Sequence, residues 1–190
     1  MATHLALLRG INLGSRNKVP MAELREVVTS LGYTGVTTYI QSGNVLFTAP
    51  DTDPAKLASA LEAAITEAFG LRVSVVVLSR DDLAQILDRN PYREEPNPKL
   101  VHVVFLNTEL PPELLDRVKA AESAVTAKGS RDAVAALGPA LYLHTPDGFG
   151  TSELAQAVLR ILVPSGKHHI AATARNWSTA TKLLSLCEET

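Results

Sequence analysis

Hydrophobic positions along this chain follow two periods that alternate from end to end. Thr3 to Ile11 (THLALLRGI) is apolar up to Arg9, and its short breaker-free run predicts a buried strand. Pro20 then opens a segment with Met21, Leu24, Val28 and Leu31 on one helical face, stopped by Gly32. VTTYIQ and NVLFT follow as β-rich runs around Ser42-Gly43, a hairpin-sized connection with a glycine available for positive φ. Asp53-Pro54 sets a cap and a first-turn proline ahead of Leu57, Leu61, Ala64, Ile65 and Ala68 on one face, which ends at Gly70. RVSVVVLS, Arg72 to Ser79, is the next strand. The order β-α-β-β-α-β is the split plan of ferredoxin-like domains, an antiparallel sheet with both helices on one face.

Ser79 to Asp82 has capping-box spacing, with aspartate in place of the usual Glu or Gln, before Leu83, Ile86 and Leu87. That helix ends at Asn90-Pro91. YREEPNPK, Tyr92 to Lys99, concentrates proline and charge as a linker does. The pattern then restarts: VHVVFLN as strand, a helix with Leu114, Leu115, Val118 and Ala121 inward, and two strands around Gly138-Pro139. A helix from Ser152 to Val163, a short HIAAT strand and a terminal helix from about Asn176 to Cys187 complete it. The expected fold class is α+β, two ferredoxin-like halves with an added C-terminal helix. Residues 1–91 form the first half with a connecting helix, 92–99 the linker and 100–190 the second half.

Composition narrows the function classes. The 190 residues are 46% hydrophobic, ample for a packed core. A formal net charge of −2 gives no global field toward nucleic acid or an anionic membrane, so phosphate binding must be local. The opening MATHLALLRGINLG lacks a secretory pattern, and no window approaches the roughly 20 apolar residues of a membrane span. Cys187 is the one cysteine, which excludes an internal disulfide and a cysteine-based zinc site. A cytoplasmic location, no membrane association, no metal and no cofactor are expected.

Four polar clusters stand out against this background. RGINLGSRNK, Arg9 to Lys18, carries two glycines and the polar residues Arg9, Asn12, Arg16, Asn17 and Lys18 between a strand and a helix, where backbone N–H groups and cations suit an anion. Its spacing matches neither a Walker loop nor the dinucleotide fingerprint. QSGN, Gln41 to Asn44, consists of ordinary turn residues that could also present donors. TPDGFGTSEL, Thr145 to Leu154, has half of a glycine fingerprint, and Ser152 or Thr151 reads as a plain N-cap. In RNWSTATKLL, Trp177, Ala180, Leu184 and Cys187 share a helical face, so the tryptophan packs inward. Asn176 reads as N-cap, while Arg175 at a helix start opposes the dipole and calls for a carboxylate, a phosphate or another subunit. His168 and His169 are adjacent and cannot chelate one ion together.

The stretches LLRGINLGSRNKVPMAELR, TTYIQSGNVLF, NPY, HTPDGFGTSEL and TARNWSTATKL resemble the DUF1697 family of uncharacterised bacterial proteins. The resemblance runs from near Leu7 to Phe47 and from about Tyr142 to Leu186. It implies a two-part α+β architecture with ferredoxin-like character, and no reaction. Where the family often has Thr-Arg-Asn-Trp-Asn-Thr this chain has Ala174 and Ser178, while Arg175, Asn176 and Trp177 match.

The leading expectation is recognition of a phosphate-bearing ligand, a nucleotide or nucleic-acid segment, by Arg9, Asn12, Lys18, Gln41, Asn44, Arg175 and Asn176 with loop N–H groups. The alternative is a scaffold or oligomerisation module in which the same residues are internal. Five per cent aromatics and no aromatic stripe weigh against nucleic acid. No residue pair has a spacing that demands general acid–base catalysis.

Overall fold

The computed structural model describes residues 1–50, 53–163 and 170–189. His168 and His169 lie outside them. Among the described residues the order is β1(His4–Leu8), α1(Met21–Ser30), β2(Thr34–Tyr39), β3(Asn44–Thr48), α2(Pro54–Phe69), β4(Val75–Ser79) and α3(Arg80–Asp88). There follow β5(Val101–Leu106), α4(Pro112–Thr126), β6(Ala133–Ala136), β7(Ala140–His144), α5(Glu153–Ile161), β8(Ala172–Asn176) and α6(Trp177–Glu189). The strands make two four-stranded sheets ordered β2-β3-β1-β4 and β6-β7-β5-β8, with every pair antiparallel. This is an α+β fold whose repeated order is consistent with two ferredoxin-like halves.

The chain divides into two compact units, Met1–Gln85 with the chain from Lys182 onward, and Ile86–Thr181. The segment 92–99, expected as the linker between halves, thus lies inside the second unit. Its composition is that of a linker, but local bonds fold it: Asn90 Oδ1 accepts from Tyr92 N at 2.9 Å, and Glu95 Oε1 accepts from Asn97 N at 3.0 Å. Tyr92 also stacks on His144 of β7.

Local signals account for the helix ends. Asp53 Oδ1 accepts from Ala55 N ahead of Pro54, and Gly70 closes α2 at φ +66. At α3 the box is reciprocal: Ser79 Oγ accepts from Asp82 N at 3.0 Å, and Asp82 Oδ2 accepts from Ser79 N at 3.4 Å. Aspartate is long enough to close it.

The first core joins Ala6, Leu8, Val45, Phe47, Val75 and Val77 of the sheet to Leu24, Val28, Leu57, Leu61 and Ile65 of α1 and α2. Each such leucine or isoleucine removed from water contributes about 1.5–3 kcal/mol. The second core repeats the plan with Val104, Leu106, Leu141 and Leu143 against Leu114, Val118, Leu154 and Val158. The other face of each sheet is buried as well, at Leu5, Leu7, Leu46 and Val76 in one and Val103, Phe105 and Tyr142 in the other. Continuous apolar runs such as VVVLS and VHVVFL therefore reflect two-sided burial rather than the alternation of a half-solvated sheet. Two edge strands are blunted by helix glutamates: Glu62 Oε1 accepts from Val75 N, and Glu122 Oε1 from Val134 N.

Candidate functional site

In the first unit the chain leaves β1 at Leu8 and enters a loop that folds on itself. Asn12 N donates to Asn17 O at 2.9 Å and Arg16 N to Leu13 O at 3.0 Å, while Asn17 Nδ2 reaches back to Gly10 O at 2.8 Å. Asn12 is the strut of this loop. Its Oδ1 accepts from Val19 N at 2.9 Å, and its Nδ2 donates to Val19 O at 3.0 Å and Gln41 O at 2.9 Å. The last of these bonds joins the β1–α1 loop to the β2–β3 hairpin. The first two polar clusters are therefore one surface, which follows from β1 and β2, both antiparallel to β3, finishing at the same end of the sheet.

Gly43 makes the approach possible. Its O accepts from Leu8 N at 2.8 Å, its φ is +74, and a Cβ there would lie 2.7 Å from Leu8 Cβ and 2.9 Å from Ile11 Cδ1. No side chain fits. Asn44, wholly buried, turns both amide hydrogens inward, to Tyr39 O at 3.0 Å and Ser42 Oγ at 2.9 Å. Asn12 and Asn44 thus hold backbone in place, whereas Gln41 meets Asn12 through its carbonyl and keeps its side chain exposed.

Three cations surround this joint. Arg9 follows the last residue of β1, donates its N–H to Ser74 O at 3.0 Å, and is half-buried, so desolvation lowers its guanidinium pKa. Arg16 and Lys18 are exposed, and among the described residues neither side chain forms an ion pair. No acidic residue occurs from Arg9 to Ala22 or from Tyr33 to Ala49. A chain of net charge −2 therefore carries a locally cationic loop pair. Among the described residues the positive-φ residues other than glycine, Asn12 (+53), Asn17 (+49) and Ile40 (+50), all belong to these two loops.

Arg175 and Asn176 belong to the second unit. The strand β8 runs through Asn176, so Arg175 pairs with Val103 inside a sheet and does not stand at a helix start. Its misreading came from ending the strand at Thr173. Arg175 is 9% exposed, its guanidinium donates from Nη1 to Thr173 Oγ1 at 2.7 Å and Ala174 O at 2.8 Å, and burial lowers its pKa to about 10. Asn176 caps α6, its Oδ1 accepting from Thr179 N at 2.8 Å. Trp177 is half-buried, and the fully covered positions of α6 are Ala180, Leu183 and Cys187, with Leu184 only half-buried.

The third cluster is internally satisfied. Ser152 Oγ accepts from Ala155 N at 2.9 Å and donates to the buried Asp132 Oδ2 at 2.7 Å, so a protein carboxylate already faces the start of α5. Sequence reasoning passed over His102, a polar residue inside the apolar strand β5. It stacks on Phe149 with ring centroids 3.9 Å apart, its buried Nδ1 has no hydrogen-bond partner among the described residues, and burial lowers its pKa to about 4. Among the described residues no group of three or more His, Cys, Asp or Glu side chains could hold a metal ion, and no helix is long and apolar enough to cross a membrane.

The family model described as a protein of unknown function (DUF1697) matches residues 1–142 of this chain. No curated protein matches it. Among solved structures the chain is similar to conserved bacterial protein SP0830 from Streptococcus pneumoniae, at 26% identity and a TM-score of 0.68, with 98% of each chain covered.

Proposed function

The chain belongs to the DUF1697 family, and from that premise, which brings no reaction with it, we propose that two ferredoxin-like halves carry a binding site for a phosphate-bearing ligand. The ligand, a nucleotide or a nucleic-acid segment, sits on the joined loops of the first unit. One observation supports this reading: the Asn12–Gln41 bond draws together two loops that hold Arg9, Arg16 and Lys18 and no carboxylate. Arg16 and Lys18 reach the anion, and Arg9 adds charge at the base of the loop. Gln41 donates at the rim, while Asn12 and Asn44 keep the loops in register. A phosphate oxygen accepting from a charged donor gains about 1.5–3 kcal/mol per hydrogen bond. Two such contacts are enough for weak, salt-sensitive binding.

Titration calorimetry at low salt with inorganic pyrophosphate and with mononucleotides tests this reading, alongside filter binding of a short oligonucleotide. Replacing both Arg16 and Lys18 by alanine is expected to weaken binding about tenfold or more. No heat and no retention with any probe would remove the proposal.

A second reading is favoured for the second unit by its own hydrogen bonds. Arg175 on Thr173 and Asn176 on Thr179 act as internal fastenings there, as a scaffold requires.

A further inference from the structure

We infer that the ligand of these loops is an amphiphilic phosphate ester, a phosphate joined to a hydrocarbon, whose head meets Arg16 and Lys18 and whose apolar body lies on Leu13 and Ile40. This rests on the phosphate site proposed above and departs from it in the group the phosphate carries, a hydrocarbon in place of a nucleoside. Among the described residues five large hydrophobic side chains are exposed: Met1, Leu13, Ile40, Leu137 and Val163. Leu13, 64% exposed, follows Asn12, and Ile40, 51% exposed, precedes Gln41. The two thus flank the hydrogen bond that joins the loops. Single exposed aliphatics need no explanation, but a pair gathered beside free cations does.

Ile40 makes the pairing more specific. It holds φ at +50, in the left-handed region that β-branched residues avoid, with its side chain half in water. Asparagine or glycine would occupy that position without strain. Isoleucine thus incurs both backbone strain and exposure in the free protein, and a contact outside the protein would offset both. Inorganic phosphate would use Arg16 and Lys18 and leave both aliphatics wet. A hydrocarbon attached to the phosphate would use all four side chains, and a single molecule can do so because the cations and Leu13 share one six-residue stretch.

The test compares inorganic phosphate, AMP and octyl phosphate below its micelle concentration by nuclear magnetic resonance titration of the full chain, with vesicles of phosphatidic acid as a separate arm. Each buried methylene raises affinity about fourfold, so octyl phosphate is expected to bind at least tenfold more tightly than inorganic phosphate. In Ile40→Gly and in Leu13→Ser that ratio is expected to fall toward one. Both variants alter exposed side chains, and circular dichroism checks that they fold. Equal affinity for all three soluble probes, or a ratio indifferent to both substitutions, overturns the inference and leaves the phosphate reading standing. Binding to vesicles without binding of monomeric octyl phosphate overturns it in favour of a bilayer surface. If no phosphate compound binds in any form, the phosphate reading fails and this inference with it.

Discussion

Asn12 and Gln41, twenty-nine positions apart in the chain, are joined by a 2.9 Å hydrogen bond from the Asn12 amide to the Gln41 carbonyl. That contact converts two separate turns into one surface. Asn12 makes three side-chain hydrogen bonds and sits at φ +53, so Asn12→Ala is expected to destabilise the fold by about 2–3 kcal/mol, through lost bonds and left-handed strain together. Asn12→Gly keeps the backbone conformation and loses only the bonds, so it should cost less. Urea unfolding of both variants measures the two contributions, and equal losses would show that strain plays no part.

Ile40→Gly should have the opposite sign. The native φ of +50 suits glycine, and the side chain is half in water, so relief of strain outweighs the entropy glycine adds to the unfolded chain. A gain of about 1 kcal/mol in urea unfolding is expected. A loss would show that the isoleucine packs more than its exposure indicates.

Much of the architecture was legible because local chemistry and hydrophobic period agreed. The Asp53-Pro54 start, the Ser79–Asp82 box and the Ser152 cap each name their helix from side-chain geometry alone. Arg175 was misplaced because a strand end carries no comparable mark: polar Asn176 serves at once as the last strand residue and as the cap of α6. The segment 92–99 shows a related point, since proline and charge describe its composition and not whether its turns close on a neighbouring ring such as His144. In the candidate site the cations could be read directly. The Asn12 amide's reach to Gln41 could not, because it depends on the distance between two loops, and the left-handed Ile40 and the inward amide of Asn44 could not, because they depend on how the hairpin closes on itself.

Arg175 separates a fastening from a ligand contact. Arg175 is 9% exposed and bonded to Thr173, so Arg175→Ala leaves buried acceptors unmatched and is expected to lower stability by about 2 kcal/mol or more. Pyrophosphate affinity should change little. If instead affinity falls as far as in Lys18→Ala while the melting temperature holds, Arg175 shares the anion site.

His102 predicts a pH dependence of definite sign. Its pKa is lowered from 6.5 to about 4, so between those values the unfolded chain binds more protons than the folded one, and stability rises with pH. Stability lost on acidification across that window should be on the order of 2 kcal/mol for this one group. His102→Phe, which keeps a ring against Phe149, should flatten the profile from pH 6.5 down to about 4. A ring titration seen by magnetic resonance near the ordinary histidine value would contradict this.

The phosphate site is tested most directly by an amide-resolved magnetic resonance titration of the full chain with pyrophosphate at low salt. The expected result is saturable movement of the Gly10, Gly14, Ser15, Lys18, Gln41 and Gly43 amides together, with one dissociation constant, abolished by joint Arg16→Ala and Lys18→Ala substitution. Movement confined to residues of the second unit, or none at millimolar pyrophosphate in either unit, would contradict the assignment of the joined loops as the binding site.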